Sequence, residues 1–468
     1  MTDRKRVQYR SQVQRFKRRL LLLQDCSLKD LLPGDVLHKV IEQAVSLRDL
    51  IYTPLVTLGL FLRQVLNDDA SCKNIVASFR AERLQSGLGS ISVNTGPYCK
   101  ARARLPLDPL QELVRRSGAA GDRHARASDL WLGRWNVKLA DGTTMLLQDT
   151  QDNQDVYPQP KARKPGLGFP MVRMVALISL SVGTVLDYAL GPYQGKQTGE
   201  ASLFARLLGG LRRGDLLLAD RYYATYAFLA LLSARGGAAL MKQHARRNTD
   251  FRTGRRLGAR DHIVIWIKPK IKPIWMSDAE FEALPAQLEV REFRVNRVVY
   301  VTTLLDAKTY HKNALAKLYE QRWNIELDLR SIKTHMGMEM LRCLTHEMVE
   351  KEIAVNLLAY NLIRAHMAEA AQQYDKVPRQ LSFKASVQLY LHAVAQWGSA
   401  KLTNLRIFIV ELLRGIASTP VGIFKKDPQP RAKKRRPKTY PLLMKPRSVL
   451  KDALKRKQAK WSENQCAA

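Results

Sequence analysis

The sequence is short of acid. Its 468 residues include 42 Asp and Glu against 77 Lys and Arg, a net charge of +35 at neutral pH. A chain so poor in carboxylates repels itself when folded, so a polyanionic partner is expected, and nucleic acid is the polyanion that fits. Cysteine is scarce as well. Cys26, Cys72, Cys99, Cys343 and Cys466 are scattered and odd in number. Their spacing matches neither a zinc site nor a disulfide framework, and it suits a reducing cytoplasm. Long apolar runs are missing. Nothing approaches the roughly 18 residues of a transmembrane helix, and no strong amphipathic anchor argues for a membrane partner. The basic N-terminus, MTDRKRVQYRSQVQRFKRRL, shows no clear cleavable signal.

What is present is core material. Hydrophobic residues make up 46% of the chain, and its length points to roughly two to four domains. Residues 1–128 read as helical. TPLVTLGLFLRQVL (53–66) has a helical apolar period with Pro54 in its first turn. PYCKARARLPLDPLQELVRRSG (97–118) reads as a short helix broken at Pro106 and a second that Gly118 ends, with Asp108 as N-cap. Lys100 and Arg104 share a face of the first. Two readings stand for that pair: a solvated charged face, or DNA contact by a helix-turn-helix-like unit.

From about 135 the pattern turns to strands. WNVKLADGTTMLLQDT alternates and is broken by Asp-Gly, a strand-turn-strand signal that leaves Asp141 at a strand end. MVRMVALISLSVGTVLDYALGPY (171–193) reads as two strands meeting near Gly183, and TGEASLFARLLGGLRRG (198–214) as a helix. DLLLAD (215–220) is a short, continuously apolar strand, as in a sheet covered on both faces, and it ends on Asp220. A helix and the strand AALMK follow, so the whole describes a mixed α/β sheet. Residues 242–316 interleave Lys and Arg with Val, Ile, Trp and Tyr, as a basic β-rich insertion would. The segment 349–371 reads as an amphipathic helix, with weaker helices to about 416. The tail 425–460 carries 15 Lys and Arg against two Asp, and is expected to be poorly ordered and adhesive to nucleic acid.

Asp141 and Asp220 each have a bland reading, turn chemistry for the first and a strand-end acid for the second. Together, at strand ends of one sheet, they would repel unless a hard cation such as Mg²⁺ joined them. LYEQRWNIELDLRSIKTHMGM (318–338) reads as one helix. On a wheel of about 100° per residue, Tyr319, Arg322, Glu326 and Lys333 fall in an arc of about 60° that runs roughly 21 Å. Ile325, Leu329, Ile332 and Met336 border the row on one side, Trp323 and Leu327 on the other. An Arg322–Glu326 ion pair would explain part of it. A phosphodiester lying along the helix explains the whole: Arg322 and Lys333 on phosphates, Tyr319 hydrogen-bonding one, Glu326 toward the metal.

The spacing Tyr-x2-Arg-x3-Glu-x6-Lys resembles the YREK signature of insertion-sequence DDE transposases, the cut-and-paste group whose DNA ends pass through hairpins. DGT at Asp141 and LLLADR at Asp220 stand where that family keeps its first two acids, and the likeness runs over about residues 35 to 450. It implies an RNase H-like mixed-sheet catalytic core at 129–241 and 317–371, interrupted by a β-rich insertion at 242–316. A helical DNA-binding domain (1–128), a C-terminal helical region (372–424) and a basic tail (425–468) complete the expectation. It further implies Mg²⁺, with Mn²⁺ as substitute, held by the catalytic acids Asp141, Asp220 and Glu326. Arg330 and Trp323 flank the polar row, with Arg330 expected as a further DNA contact. Trp266, Trp275 and Tyr300 are candidates for stacking a flipped base, though a Trp among strands also suits a core. The partners implied are duplex DNA, as element ends and as target, and further copies of the chain, in a homodimer or larger synaptic oligomer of the bacterial cytoplasm and nucleoid. Two rivals remain: a catalytically silent DNA-binding derivative, and a metal-dependent nuclease without strand transfer.

Overall fold

The computed structural model describes residues 3–20, 27–44, 51–123, 129–161, 166–396, 402–422 and 443–466. The chain begins with helices α1 (Asp3–Arg19), α2 (Gly34–Gln43), α3 (Pro54–Leu66), α4 (Cys72–Gln85), α5 (Gly96–Ala103) and α6 (Leu107–Arg123). Pro54 sits in the first turn of α3, where its missing N–H leaves no bond unmade. Helix α6 does not stop at Gly118. A Cβ there would lie 1.9 Å from the Val185 carbonyl oxygen, and one on Gly121 would lie 2.7 Å from Thr184. These glycines let the helix press on the sheet; they do not end it.

The described strands form one mixed sheet of nine: β1 (Asn136–Leu146), β2 (Met171–Ser179), β3 (Val185–Pro192), β4 (Asp215–Ala219), β5 (Ala238–Lys242), β6 (Arg255–Gly258), β7 (Asp261–Ile267), β8 (Gln287–Val295) and β9 (Val298–Thr302), in the order 3-2-1-4-5-9-8-7-6. β1, β4 and β5 run parallel, and the other pairings are antiparallel. The strands of 255–302 therefore extend the main sheet, because β9 pairs directly with β5. A helical crossover, α9 (Tyr226–Ala234), joins β4 to β5, as parallel neighbours require. The stretch expected to be helical over 198–214 yields only α8 (Glu200–Ala205) and a short 3-10 turn that contains Gly209 and Gly210. A short α7 (Gln151–Val156) lies between β1 and β2, and α10 (Asp278–Glu282) between β7 and β8.

The later helices are α11 (Lys312–Glu320), α12 (Trp323–Arg330), α13 (His346–Gln373), α14 (Phe383–Gln396), α15 (Leu402–Ala417) and α16 (Arg447–Cys466). Helix α13 is buried along most of its length, between α3, α6, α14 and α15. Buried Asn361 ties it in: its amide nitrogen donates to the carbonyls of Val114 (3.0 Å) and Val185 (2.9 Å), and its oxygen accepts from the Val185 N–H (2.7 Å). One apolar core runs from Leu58 and Phe61 of α3 through the sheet to Leu357 and Leu358 of α13. The N-terminal helices thus share the core of the sheet. Of the basic tail, residues 425–442 lie outside the described residues, and α16 gives regular structure to much of the remainder. No helix among the described residues is long and apolar enough to cross a membrane.

Candidate active site

Asp141 lies inside β1, where it pairs with Ala176 of β2. Asp-Gly here is no hairpin, because β1 continues to Leu146. The position is still an end of a kind. The parallel ladder between β1 and β4 closes at Ala140 opposite Ala219. Asp141 and Asp220 are each the next residue, so strand register alone sets the two acids side by side at one edge. The Asp220 carboxylate accepts the N–H of Arg221 at 2.7 Å, capping the short turn that follows.

Glu326 arrives from α12. Arg322 Nη1 lies 3.2 Å from Asp141 Oδ2, and its Nη2 lies 2.9 Å from Glu326 Oε1. One guanidinium fork thus bridges residues 141 and 326. Asp141 Oδ1 accepts the Gly142 N–H at 2.8 Å. Burial raises the Asp141 carboxyl to about 6; the Gly142 N–H and Arg322 oppose this, while Glu200 and Glu326 add to it.

The helix carrying the signature is not continuous. α11 ends at Glu320, and Arg322 N–H bonds back three residues to the Tyr319 carbonyl, a tighter turn than α. Beyond α12, residues Ser331–His335 form a π turn. The uniform wheel therefore fails at both ends. Arg322 still turns toward the acids, and Lys333 lines one cavity with Asp141, Glu326 and Arg330. Tyr319 turns away from any phosphate: it is 4% exposed, and its hydroxyl donates to the Ala219 carbonyl at 3.1 Å. It props α11 against the end of β4, next to Asp220.

That cavity, about 350 Å³, is bounded by β1, α12 and the π turn, with Thr143, Thr334 and Glu339 in its wall. Trp323, 59% exposed, forms part of the rim. A larger cavity of about 470 Å³ lies among α1, α3 and α4 and touches none of the three acids. The aromatic candidates are occupied. The Trp266 indole donates to Glu292 at 3.0 Å under the Arg247 guanidinium, Trp275 stacks on Phe228, and Tyr300 stacks on Phe293. Lys100 and Arg104 are exposed near the end of α5.

Sequence reasoning missed Asp328. It is fully buried and accepts from the Tyr360 hydroxyl (3.1 Å), Arg364 (2.7 Å) and Arg379 (3.0 Å), which pins α12 to α13. The available signal was an acid between Leu327 and Leu329 in the middle of a helix. It missed Glu200 and Tyr223 as well, both near Asp141.

Residues 136–362 match the family model described as the transposase DDE domain. Over 325 residues the chain is 30% identical to transposase InsG for insertion sequence element IS4 of Escherichia coli (strain K12), covering 66% of this chain and 70% of that protein. The chain belongs to the DDE transposase family. The matched span of this family member holds all three acids and the bridging arginine. A solved piggyBac transposase synaptic complex with hairpin DNA aligns with 85% of this chain and 84% of that chain, at TM-score 0.43 and 9% identity.

Hard oxygen donors are the chemistry a divalent cation takes, and here Asp141 and Glu326 share one guanidinium, with Asp220 the next residue beyond the β1–β4 ladder. The donor set fits such a cation. With Arg322 between them, no three acids converge at ligand spacing among the described residues.

Proposed function

We propose that the protein is a DNA transposase of an insertion sequence. In this reading it binds the element's terminal inverted repeats, cleaves at the ends through hairpin intermediates, and joins the 3′-hydroxyls to target DNA. It works as a homodimer or larger synaptic assembly. The observation that carries the reading is the Arg322 fork, which gathers Asp141 and Glu326, 185 positions apart, at the strand edge that ends beside Asp220. The 3-2-1-4-5 half of the sheet, with β2 antiparallel to β1, is read as an RNase H-like core, and β6–β9 as its insertion.

Asp141, Asp220 and Glu326 would hold Mg²⁺, or Mn²⁺ in its place. When bound, such cations supply activation of the attacking hydroxyl and stabilisation of the leaving oxygen in an in-line displacement. The chain's own residues then have defined tasks. Arg322 keeps two carboxylates together without DNA, and a DNA phosphate would offer it a competing bidentate partner. Lys333 and Arg330, on the cavity wall, would hold the backbone of the strand being cut. Lys100 on α5 and Arg104 just past its end stand exposed for duplex contact. Hairpin formation calls for a base stacked outside the duplex, and Trp323 is the indole on the cavity rim.

The test is cleavage of a duplex ending in the repeats that flank the gene, with Mg²⁺. Wild-type protein should nick, form hairpins and join ends. Asp141→Asn, Asp220→Asn and Glu326→Gln should each bind the same DNA and cut none of it. Cutting by any of the three variants would remove that acid from the chemistry, and cutting without joining would leave a nuclease.

A further inference from the structure

The edge that carries Asp141 holds more acid than the signature contains. A Cβ built on Gly142 would sit 2.7 Å from both Cδ and Oε1 of Glu200. The Glu200 carboxylate therefore rests on the bare backbone of the residue next to Asp141, where only glycine leaves it room. Glu200 opens α8, and no hydrogen bond or ion pair engages its side chain among the described residues.

A second observation is independent. Tyr223 is 1% exposed, and its hydroxyl is buried without a hydrogen-bond partner. Phe204 and Phe228 fix its ring from the side, at centroid distances of 5.0 and 6.3 Å. Burial, followed by the charges of Glu200, Asp141 and Asp220, pushes this hydroxyl's pKa up. The phenol lies within electrostatic reach of the three acids that β1, β4 and α8 deliver. A buried hydroxyl left unpaired is costly and calls for a partner at that spot.

We propose that Glu200 is a fourth carboxylate ligand of the divalent-cation site, with the Tyr223 hydroxyl as the neutral donor that steadies the acids around it. The proposal rests on the reading of Asp141, Asp220 and Glu326 as cation ligands. Gly142 has its own part, since any side chain there would push Glu200 off the edge.

Mn²⁺ binding to the metal-free full-length chain, followed by the paramagnetic resonance signal of the free ion, tests this without any cleavage assay. Glu200→Gln should weaken Mn²⁺ binding by about ten- to a hundredfold. Gly142→Ala should do the same by displacing the carboxylate. Independently, Fe²⁺ with ascorbate and peroxide should cut the wild-type backbone near both 142 and 200, as read by mass spectrometry. If Glu200→Gln and Gly142→Ala bind Mn²⁺ as wild type does while Asp141→Asn does not, Glu200 is no ligand and the three-acid reading survives. If wild type binds no Mn²⁺ and iron cuts nowhere near Asp141, both readings fall. Should the variants lose their circular dichroism, the wild-type iron cuts decide: none near residue 200 overturns the proposal.

Discussion

Glu326 and Asp328 stand two residues apart on α12 and meet opposite surroundings. Asp328 has no exposure, and two guanidiniums and a phenol converge on it from α13 and the segment after it. Glu326 opens on a cavity where it shares one guanidinium with Asp141, which has Asp220 beside it at the end of the β1–β4 ladder. At Asp328 positive charge exceeds negative in a sealed space, and at Glu326 two carboxylates share one guanidinium beside solvent. The first arrangement holds a helix in place. The second holds charge available for something that is not protein, and the rigidity of the first aims the second.

Breaking the sealed site should have the largest effect. Asp328→Ala leaves Arg364 and Arg379 buried without their acid, and should lower unfolding free energy by about 3–5 kcal/mol in urea titrations. A loss below 1 kcal/mol would mean that water already serves those arginines. Gly118→Ala, which drives a methyl into the Val185 carbonyl, should cost about 1–3 kcal/mol or more by the same measurement.

The open site should respond to pH in the other direction. Unfolded, the Asp141 carboxyl titrates at its ordinary value near 4; folded, it is held up at about 6. The native state therefore keeps this proton longer. Its contribution to stability is complete below about pH 4 and is lost as pH rises through about 6. In chelator, Asp141→Asn should match wild type at pH 4 and exceed it at pH 8 by roughly 2 kcal/mol. Equal stability at both pH values would show that Arg322 fully compensates the charge.

The smallest stability effect belongs to Glu326→Gln. Its side chain is 37% exposed in a pair with Arg322, so the change should stay under about 1 kcal/mol. Lys333→Ala should likewise fold normally and lower the salt dependence of DNA binding by about one unit of slope. An unchanged slope would take Lys333 off the backbone contacts.

How much of this was legible differs from residue to residue. Asp220 could be read because β4 is a continuous apolar run with an acid at its end. Asp141 was singled out for a wrong local reason. Asp-Gly signals a turn, yet the pairing of β1 with β2 carries the strand straight through it. The signature row was partly legible: a regular wheel placed Arg322, Glu326 and Lys333 on one side but sent Tyr319 there too, because it could not foresee the tight turn after α11 or the π turn after α12. Glu200 was not legible, since an acid opening a helix has an ordinary explanation in the helix dipole. Gly118 read as a stop because its close approach to Val185 belongs to another strand.

The sequence by itself determined the charge surplus, the strand and helix periods, and the spacing that groups Tyr319, Arg322, Glu326 and Lys333. Those depend on composition and on neighbours within a few residues. Tertiary structure decided which acids meet. The β1–β4 register aligns Asp141 with Asp220, the Arg322 fork draws Glu326 in, and the bare backbone of Gly142 admits Glu200. Such meetings depend on through-space distance between residues far apart in the chain, which no local pattern encodes.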